Sequence, residues 1–346
     1  MALFGIGKKE SFLGIDLGST SIKLVELYKD KGVPTLLTYG YGERATSGPA
    51  RVASQEVQRR VISLLKRLYK ESGAQSFKVV TALPNFSVFN SVITLPVMKK
   101  KEMGAAVRWE AKKFIPMPVE DVILDWKIID EMLTEGRRNF RILLTAASRN
   151  LVKRYVEIFK QADLQLLSLE TEAFALVRSL IGRDPSITMV IDTSAVTTDI
   201  IIIEKSVPAL NRSIDVGGIT ITRAIANSLN IDFKRADQFK KDIGMGGSSK
   251  IPKIIEGIFQ PVVDEIRYSL NLYQGQAGKP VEKIVLSGGS AYLPNLPEYL
   301  SQALKMKVFI GDPWARIAYP EELKPALEEI APRFAVAIGL ALRELE

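Results

Sequence analysis

The sequence predicts an α/β protein built from two similar halves, the first carrying a small inserted subdomain. Three observations predict it. An apolar strand that ends in an acid, bends through small residues and returns as a second strand occurs at 14–27 and again at 188–204, a self-similarity that marks internal duplication. Strands alternate with amphipathic helices in both halves, as in layered α/β architectures. Between about 84 and 166 the order becomes strand, helix, two strands, helix, a package that interrupts the first half. The expected division is 1–182 for the first half with its insert at about 84–166, 183–330 for the second half with a helical portion at about 219–280, and 331–346 for a closing helix packing back on the first half.

Taken in order, the first hairpin runs from Phe12 through the bend Gly18-Ser19-Thr20 to Leu27, and a third strand spans 33–41 until 46–49 break it. Residues 54–73 place Val57, Val61, Leu64, Leu65 and Leu68 at helical spacing, ended by Gly73. A buried strand follows at 77–82. In the insert, 86–95 reads as hairpin-like, and 99–114 as a basic helix with Val107, Trp109, Ala111 and Phe114 among its apolar positions. Pro116 and Pro118 stop that helix. Strands at 122–130 and 139–147 flank the polar turn 134–138, and a helix covers 150–162. A short strand at 166–169 and a helix at 171–181 lead to the second hairpin. Beyond it lie a strand ending at Gly217-Gly218, helices at 219–229, 233–241 and 252–274, a Gly/Ser loop at 244–249, and a strand at 283–286. The helix 333–346 closes the chain.

Composition narrows the chemistry. The chain has 346 residues, no Cys and no His, which excludes disulfides, thiolate and imidazole metal sites, and Cys or His catalysis. The chemistry must run on carboxylates, hydroxyls, amines and a borrowed metal ion. A net charge of +8 favours an anionic neighbour: nucleotide, nucleic acid or the inner leaflet of a membrane. No apolar run approaches the ~20 residues of a membrane span, and the charge order of the first nine residues is wrong for a signal peptide. A cytoplasmic location is expected.

Each bend can wrap a polyphosphate with its backbone N–H groups, while the acid at its lip holds the water shell of a magnesium ion. The expectation is that Asp16 and Asp192 face one another across the phosphate chain. Gly288-Gly289-Ser290, after a strand, lets backbone lie against a planar base. The simpler structural reading of each motif is a capped turn.

In this order the motifs resemble the actin-like ATPase superfamily, which includes actin, the heat-shock ATPase chaperones, sugar kinases, MreB, FtsA and the PilM family of type IV pilus assembly proteins. Residues 14–23 resemble its first phosphate loop. Residues 169–176 resemble its first connecting helix, where Glu170 matches the acid that orients attacking water. Residues 190–199 match the second phosphate loop in length, with Ser194, Ala195 and Val196 where glycines are usual. Residues 236–240 are similar to the stretch whose acid and lysine hold ribose and base, 288–294 to the adenosine loop, and 335–342 to the second connecting helix. The opening 13–27 and the phrase Phe114-Ile115-Pro116-Met117-Pro118 are closest to the PilM family.

The resemblance implies the actin-like ATPase fold, two ribonuclease-H-like halves with an insert of the FtsA and PilM type. It implies ATP or ADP with Mg2+ as ligand, held by Asp16, Gly18, Ser19, Thr20, Ser21 and Lys23, by Asp192, Ser194, Ala195 and Thr197, by Gly217 and Gly218, by Asp237 and Lys240, and by Gly288, Gly289, Ser290 and Tyr292. Magnesium is held through water by Asp16 and Asp192, and Glu170 is the candidate hydrolytic group. The implied partner is the N-terminal cytoplasmic peptide of a PilN-like inner-membrane protein, with other pilus assembly proteins or motor ATPases, and self-association, as further partners. Nucleic acid is not implied, and the membrane is met only through a partner.

Two function classes follow. One is a nucleotide-dependent scaffold with slow or absent turnover; the other is an active ATPase or small-molecule kinase, with an FtsA-like division protein as a further member of the superfamily. The absence of a nameable sugar-pocket acid favours the scaffold. For the basic helix at 99–113, a solvated charged face is favoured over contact with anionic lipid.

Overall fold

The computed structural model describes residues 10–44, 55–134, 136–247 and 249–346. The expected break at 46–49 lies outside them, as do Glu135 of the polar turn and Ser248 of the Gly/Ser loop. The chain begins with β1 (Ser11–Leu17), β2 (Ser21–Asp30), β3 (Val33–Glu43), α1 (Gln55–Glu71) and β4 (Lys78–Leu83). The insert follows as β5 (Val88–Pro96), α2 (Lys100–Ala111), β6 (Val122–Thr134) and β7 (Arg137–Ser148). Then come α3 (Arg149–Gln161), β8 (Gln165–Thr171) and α4 (Glu172–Leu176). The second half comprises β9 (Thr188–Thr193), β10 (Thr198–Glu204), β11 (Val207–Ile214), α5 (Gly218–Leu229), α6 (Phe233–Ile243), α7 (Lys250–Ala277), β12 (Lys283–Ser287), α8 (Leu296–Leu304), β13 (Val308–Ile310) and α9 (Lys324–Leu342).

Two compact units result. One gathers residues 1–83, 155–180 and 312–346; the other gathers 84–154 and 181–311. The first holds a five-stranded sheet in the order β3-β2-β1-β4-β8, and the second holds one in the order β11-β10-β9-β12-β13. In both, a meander of three antiparallel strands is extended by two parallel ones. The duplication read from the two acid-tipped bends is therefore a duplication of topology.

Strands β1, β9 and β10 are buried along their whole length, which explains their near-continuous apolar sequence. In the first unit, α9 lies on β1 and β4, and it does so at very short range. A Cβ on Gly14 would overlap the Ala337 carbonyl, and one on Gly339 would overlap that of Ala175. Trp314 fills the same core beside Tyr39 and Phe334, with its indole N–H donating to the Leu327 carbonyl at 3.1 Å. Fully buried Glu26 accepts hydrogen bonds from Ser11 Oγ at 2.7 Å and from the amides of Gln75 and Ser76 at 2.9 Å.

Several elements differ from expectation. The hairpin-like 86–95 is a 3₁₀ turn, Asn85–Ser87, followed by one strand, β5, because its partner is β7 and not itself. The helix at 171–181 is α-helical only to Leu176 and continues as a π-helical turn, Val177–Ile181. The closing helix begins at Lys324, nine residues before the expected Arg333. In α2, Met103, Val107 and Ala111 cover the β5-β7-β6 sheet. Trp109 lies two residues from Val107, hence about 200° around the helix, and is 69% exposed, with Phe114 also exposed.

Candidate functional site

The first bend is positioned by the β1–β2 register, which places Asp16 directly opposite Lys23. Cross-strand partners share one face of a sheet, so Lys23 Nζ reaches Asp16 Oδ2 at 2.8 Å. Ser21 is buried and Gly18, Ser19 and Thr20 are half-buried. Arg44, which sequence reasoning missed, donates from Nη1 to the Gly18 carbonyl at 2.7 Å, and its amide donates to the Thr20 carbonyl at 2.8 Å. Burial lowers the pKa of this guanidinium. No local motif marks Arg44; only the β2–β3 pairing, which sets Glu43 opposite Ser21, brings it to the bend.

The second bend uses the same register, with Asp192 opposite Asp199. Two acids thus share one buried face. Burial raises Asp199 to about 7, Ser213 and Asn85 pull it down by hydrogen bonding, and the neighbouring Asp192 pushes it up. Around Ser194 the loop closes on itself. Ser194 Oγ accepts from the amides of Val196 at 3.3 Å and Thr197 at 3.1 Å, and the Ser194 amide donates to the Thr197 carbonyl at 2.8 Å. The hydroxyl thus occupies amides that a glycine-bearing loop would leave open. The carbonyls of Ser194 and Ala195 accept from the amides of Gly218 and Ile219 at 3.0 and 2.8 Å, tying the start of α5 to the bend.

Most of the residues expected in the second half come together here. A Cβ on Gly218 would stand 3.2 Å from Ser290 Oγ, 3.7 Å from Lys240 Nζ and 3.8 Å from the Ser194 carbonyl, and one on Gly217 would stand 2.6 Å from the backbone of Ala195. Lys240 Nζ donates to Asp237 at 2.6 Å, to Thr222 Oγ1 at 2.8 Å and to the Gly218 carbonyl at 3.2 Å. Burial would raise Asp237, but the hydrogen bonds and charges of Lys240 and Lys241 prevail and bring it down to about 2. Gly288 has φ +81°, and its missing Cβ is what lets the 288–293 loop cross the backbone of Thr193. The Ser290 amide donates to the Thr193 carbonyl at 3.2 Å. Gly289 follows on this loop, and Tyr292 is 44% exposed on it.

Glu170 stands apart from these groups in its bonding. Arg178 Nη1 donates to its Oε1 at 3.0 Å, and Arg343 Nη1 reaches its Oε2 at 3.4 Å. Burial pushes its pKa up, although both arginines pull it down.

A model of the family described as "Type IV pilus assembly protein PilM" matches residues 14–345. The chain belongs to this family. Among solved structures, it is similar to one titled a PilM-PilN type IV pilus biogenesis complex, with a TM-score of 0.85 and 28% identity over 98% of this chain and 100% of that chain. It shares the fold alone with the ethanolamine utilization protein EutJ of Carboxydothermus hydrogenoformans (TM-score 0.55, 18% identity, 97% and 90% covered). The same holds for MreB5 of Spiroplasma citri bound to ADP (0.53, 14%, 95% and 94%). The fold is that of the actin-like ATPases.

In this PilM-family chain Asp16 and Asp192 each lie buried at or near the end of a buried strand, one in each unit. Lys23 is paired with Asp16 and Lys240 with Asp237. No helix among the described residues is long and apolar enough to cross a membrane.

Proposed function

We propose that this chain is a nucleotide-dependent scaffold of the type IV pilus assembly platform, and that it holds the N-terminal cytoplasmic peptide of a PilN-like inner-membrane protein. The observation that carries the nucleotide reading is the meeting of four segments around Gly218: the Ser194 bend, the start of α5, Lys240 of α6 and the loop at Ser290. The family resemblance assigns the Ser194 bend to phosphate, Lys240 to ribose and base, and the Ser290 loop to adenosine, and a Cβ on Gly218 would lie within 4 Å of all three.

Asp16 and Asp192, each at its own bend, are carboxylates of the kind that hold the water shell of Mg2+, an ion that would supply neutralisation of phosphate charge. Lys23 is placed to exchange its Asp16 partner for a phosphate oxygen. The Asp237–Lys240 pair presents a fixed acid and base to a ribose. Glu170, gripped by Arg178 and Arg343, is poorly placed to serve as a free base, which favours slow turnover over the enzyme class. The solved structure similar to this chain contains PilN, and the insert exposes Phe114, Met117, Met132 and Leu133, apolar side chains of the kind that grip an extended peptide.

The test is titration with a fluorescent ATP analogue and magnesium, and, separately, calorimetry with a synthetic PilN-type N-terminal peptide. Binding of both is expected. Asp16→Ala and Gly218→Val should each weaken the analogue at least tenfold, with circular dichroism unchanged. Unaltered binding by both variants would remove the site, and a peptide indifferent to nucleotide would remove the coupling.

A further inference from the structure

We infer that the outer face of α2 is a contact surface for an anionic lipid bilayer. The inner face of this helix is already spent: Met103, Val107 and Ala111 are buried against the β5-β7-β6 sheet. The opposite face carries Lys101, Ala105, Arg108, Trp109 and Lys112, all exposed and all within about 100° of arc at 100° per residue.

Trp109 is the anomaly on that face. An indole 69% exposed forgoes burial of the most amphipathic large side chain available, whose apolar body and polar N–H suit it to the boundary between acyl chains and water. Lys112 Nζ stands 5.7 Å from the centroid of the indole ring, so the aromatic and a cation occupy one spot, both directed outward.

Charge decides among occupants. Lys99, Lys100, Lys101, Arg108, Lys112 and Lys113 are all exposed along this segment, against Glu102 and a half-buried Glu110 that pairs with Lys113. A stripe of cations flanking one large aromatic fits a headgroup layer, where cations meet phosphates and the ring enters the interface. A neutral peptide groove would need little of that charge. An isolated stripe of this size binds weakly, so its effect is to orient a chain already held near the membrane. The inference does not rest on nucleotide binding or on the peptide partner.

The test is co-sedimentation of the full chain with vesicles of phosphatidylethanolamine and phosphatidylglycerol, and with phosphatidylcholine vesicles as the neutral comparison. Binding to the anionic vesicles alone, weakened by salt, is expected. Each Lys or Arg near an anionic surface contributes about fivefold to partitioning. The triple variant Lys101→Glu, Arg108→Glu, Lys112→Glu should therefore lose on the order of a hundredfold or more. Tryptophan emission should shift to the blue on binding, and Trp109→Phe should abolish the shift while Trp126 and Trp314 remain. Peptide calorimetry on the same variants, expected unchanged, separates this surface from peptide capture. Failure to bind anionic vesicles, binding that the triple variant retains, or a shift that survives Trp109→Phe would overturn the inference.

Discussion

Asp199 sits behind the second bend with Asp192 opposite it on the same face, and its carboxyl is raised to about 7 by burial first and Asp192 among the lesser causes. An acid whose folded value is raised binds its proton more tightly folded than unfolded. Stability from this group is therefore undiminished below the ordinary value near 4 and falls as pH rises through about 7. Asp237 and Asp184, both lowered to about 2, act in the opposite sense: what they contribute is complete above about 4 and is lost as pH falls toward 2. The expected outcome is a melting temperature that declines between pH 5 and 8, and Asp199→Asn, which keeps an acceptor for Ser213, should flatten that decline. Parallel profiles for the two proteins would refute the role of Asp199. The acid-tipped bends were legible from sequence because strand, acid and small residues are contiguous. The self-capping by Ser194 was foreshadowed by its replacement of a glycine, but its geometry was not readable. Arg44 and Glu26 escaped because what makes each important lies 26 and 50 residues away in the chain, at Gly18 and Ser76.

Among the elements, α9 and α4 show how little clearance the first core allows. The crossing at Gly339 and Ala175 has no room for a Cβ, so Gly339→Val must push the helices apart or unwind one of them. Gly339→Val is expected to leave the protein insoluble or to cost roughly 3 kcal/mol or more, overpacking of this kind typically costing about 1–3 kcal/mol even in more yielding cores. Denaturant titration of the soluble fraction measures it, and a shift under 1 kcal/mol would mean that the crossing relaxes freely. Periodicity revealed α1 and α7 because each has an apolar stripe over three or more turns. It missed α8, which has nine residues, and β13, which has three, too short for any period to emerge. The π-helical turn after α4 likewise leaves no mark in side-chain spacing.

At the scale of the molecule, the insert is bound to the second half by a cluster that no sequence window contains. Arg141 of β7 donates to both oxygens of Asp130 at 2.8 and 3.1 Å and to Glu204 of β10 at 2.9 Å, and Lys205 pairs with Asp130. Removing the central cation leaves Asp130 only Lys205, and leaves Glu204 only Lys279 at 3.6 Å and the Tyr273 hydroxyl, in a partly buried place. Arg141→Ala should therefore cost roughly 1–3 kcal/mol, and calorimetry should resolve melting of the insert from that of the rest of its unit. A single unbroken transition would show that apolar contacts alone hold the two together.

The seat of α9 on Gly14 has a bearing on how the protein is born. The strands of the first unit leave the ribosome early, but the helix that roofs them comes after the whole second half, some 240 residues past β4. At about 5–20 residues per second, β1 and β2 wait roughly 12–48 s with their apolar side bare. Whatever shields nascent chains in the cell has its work at that surface, and the N-terminal sheet becomes native last although it is made first.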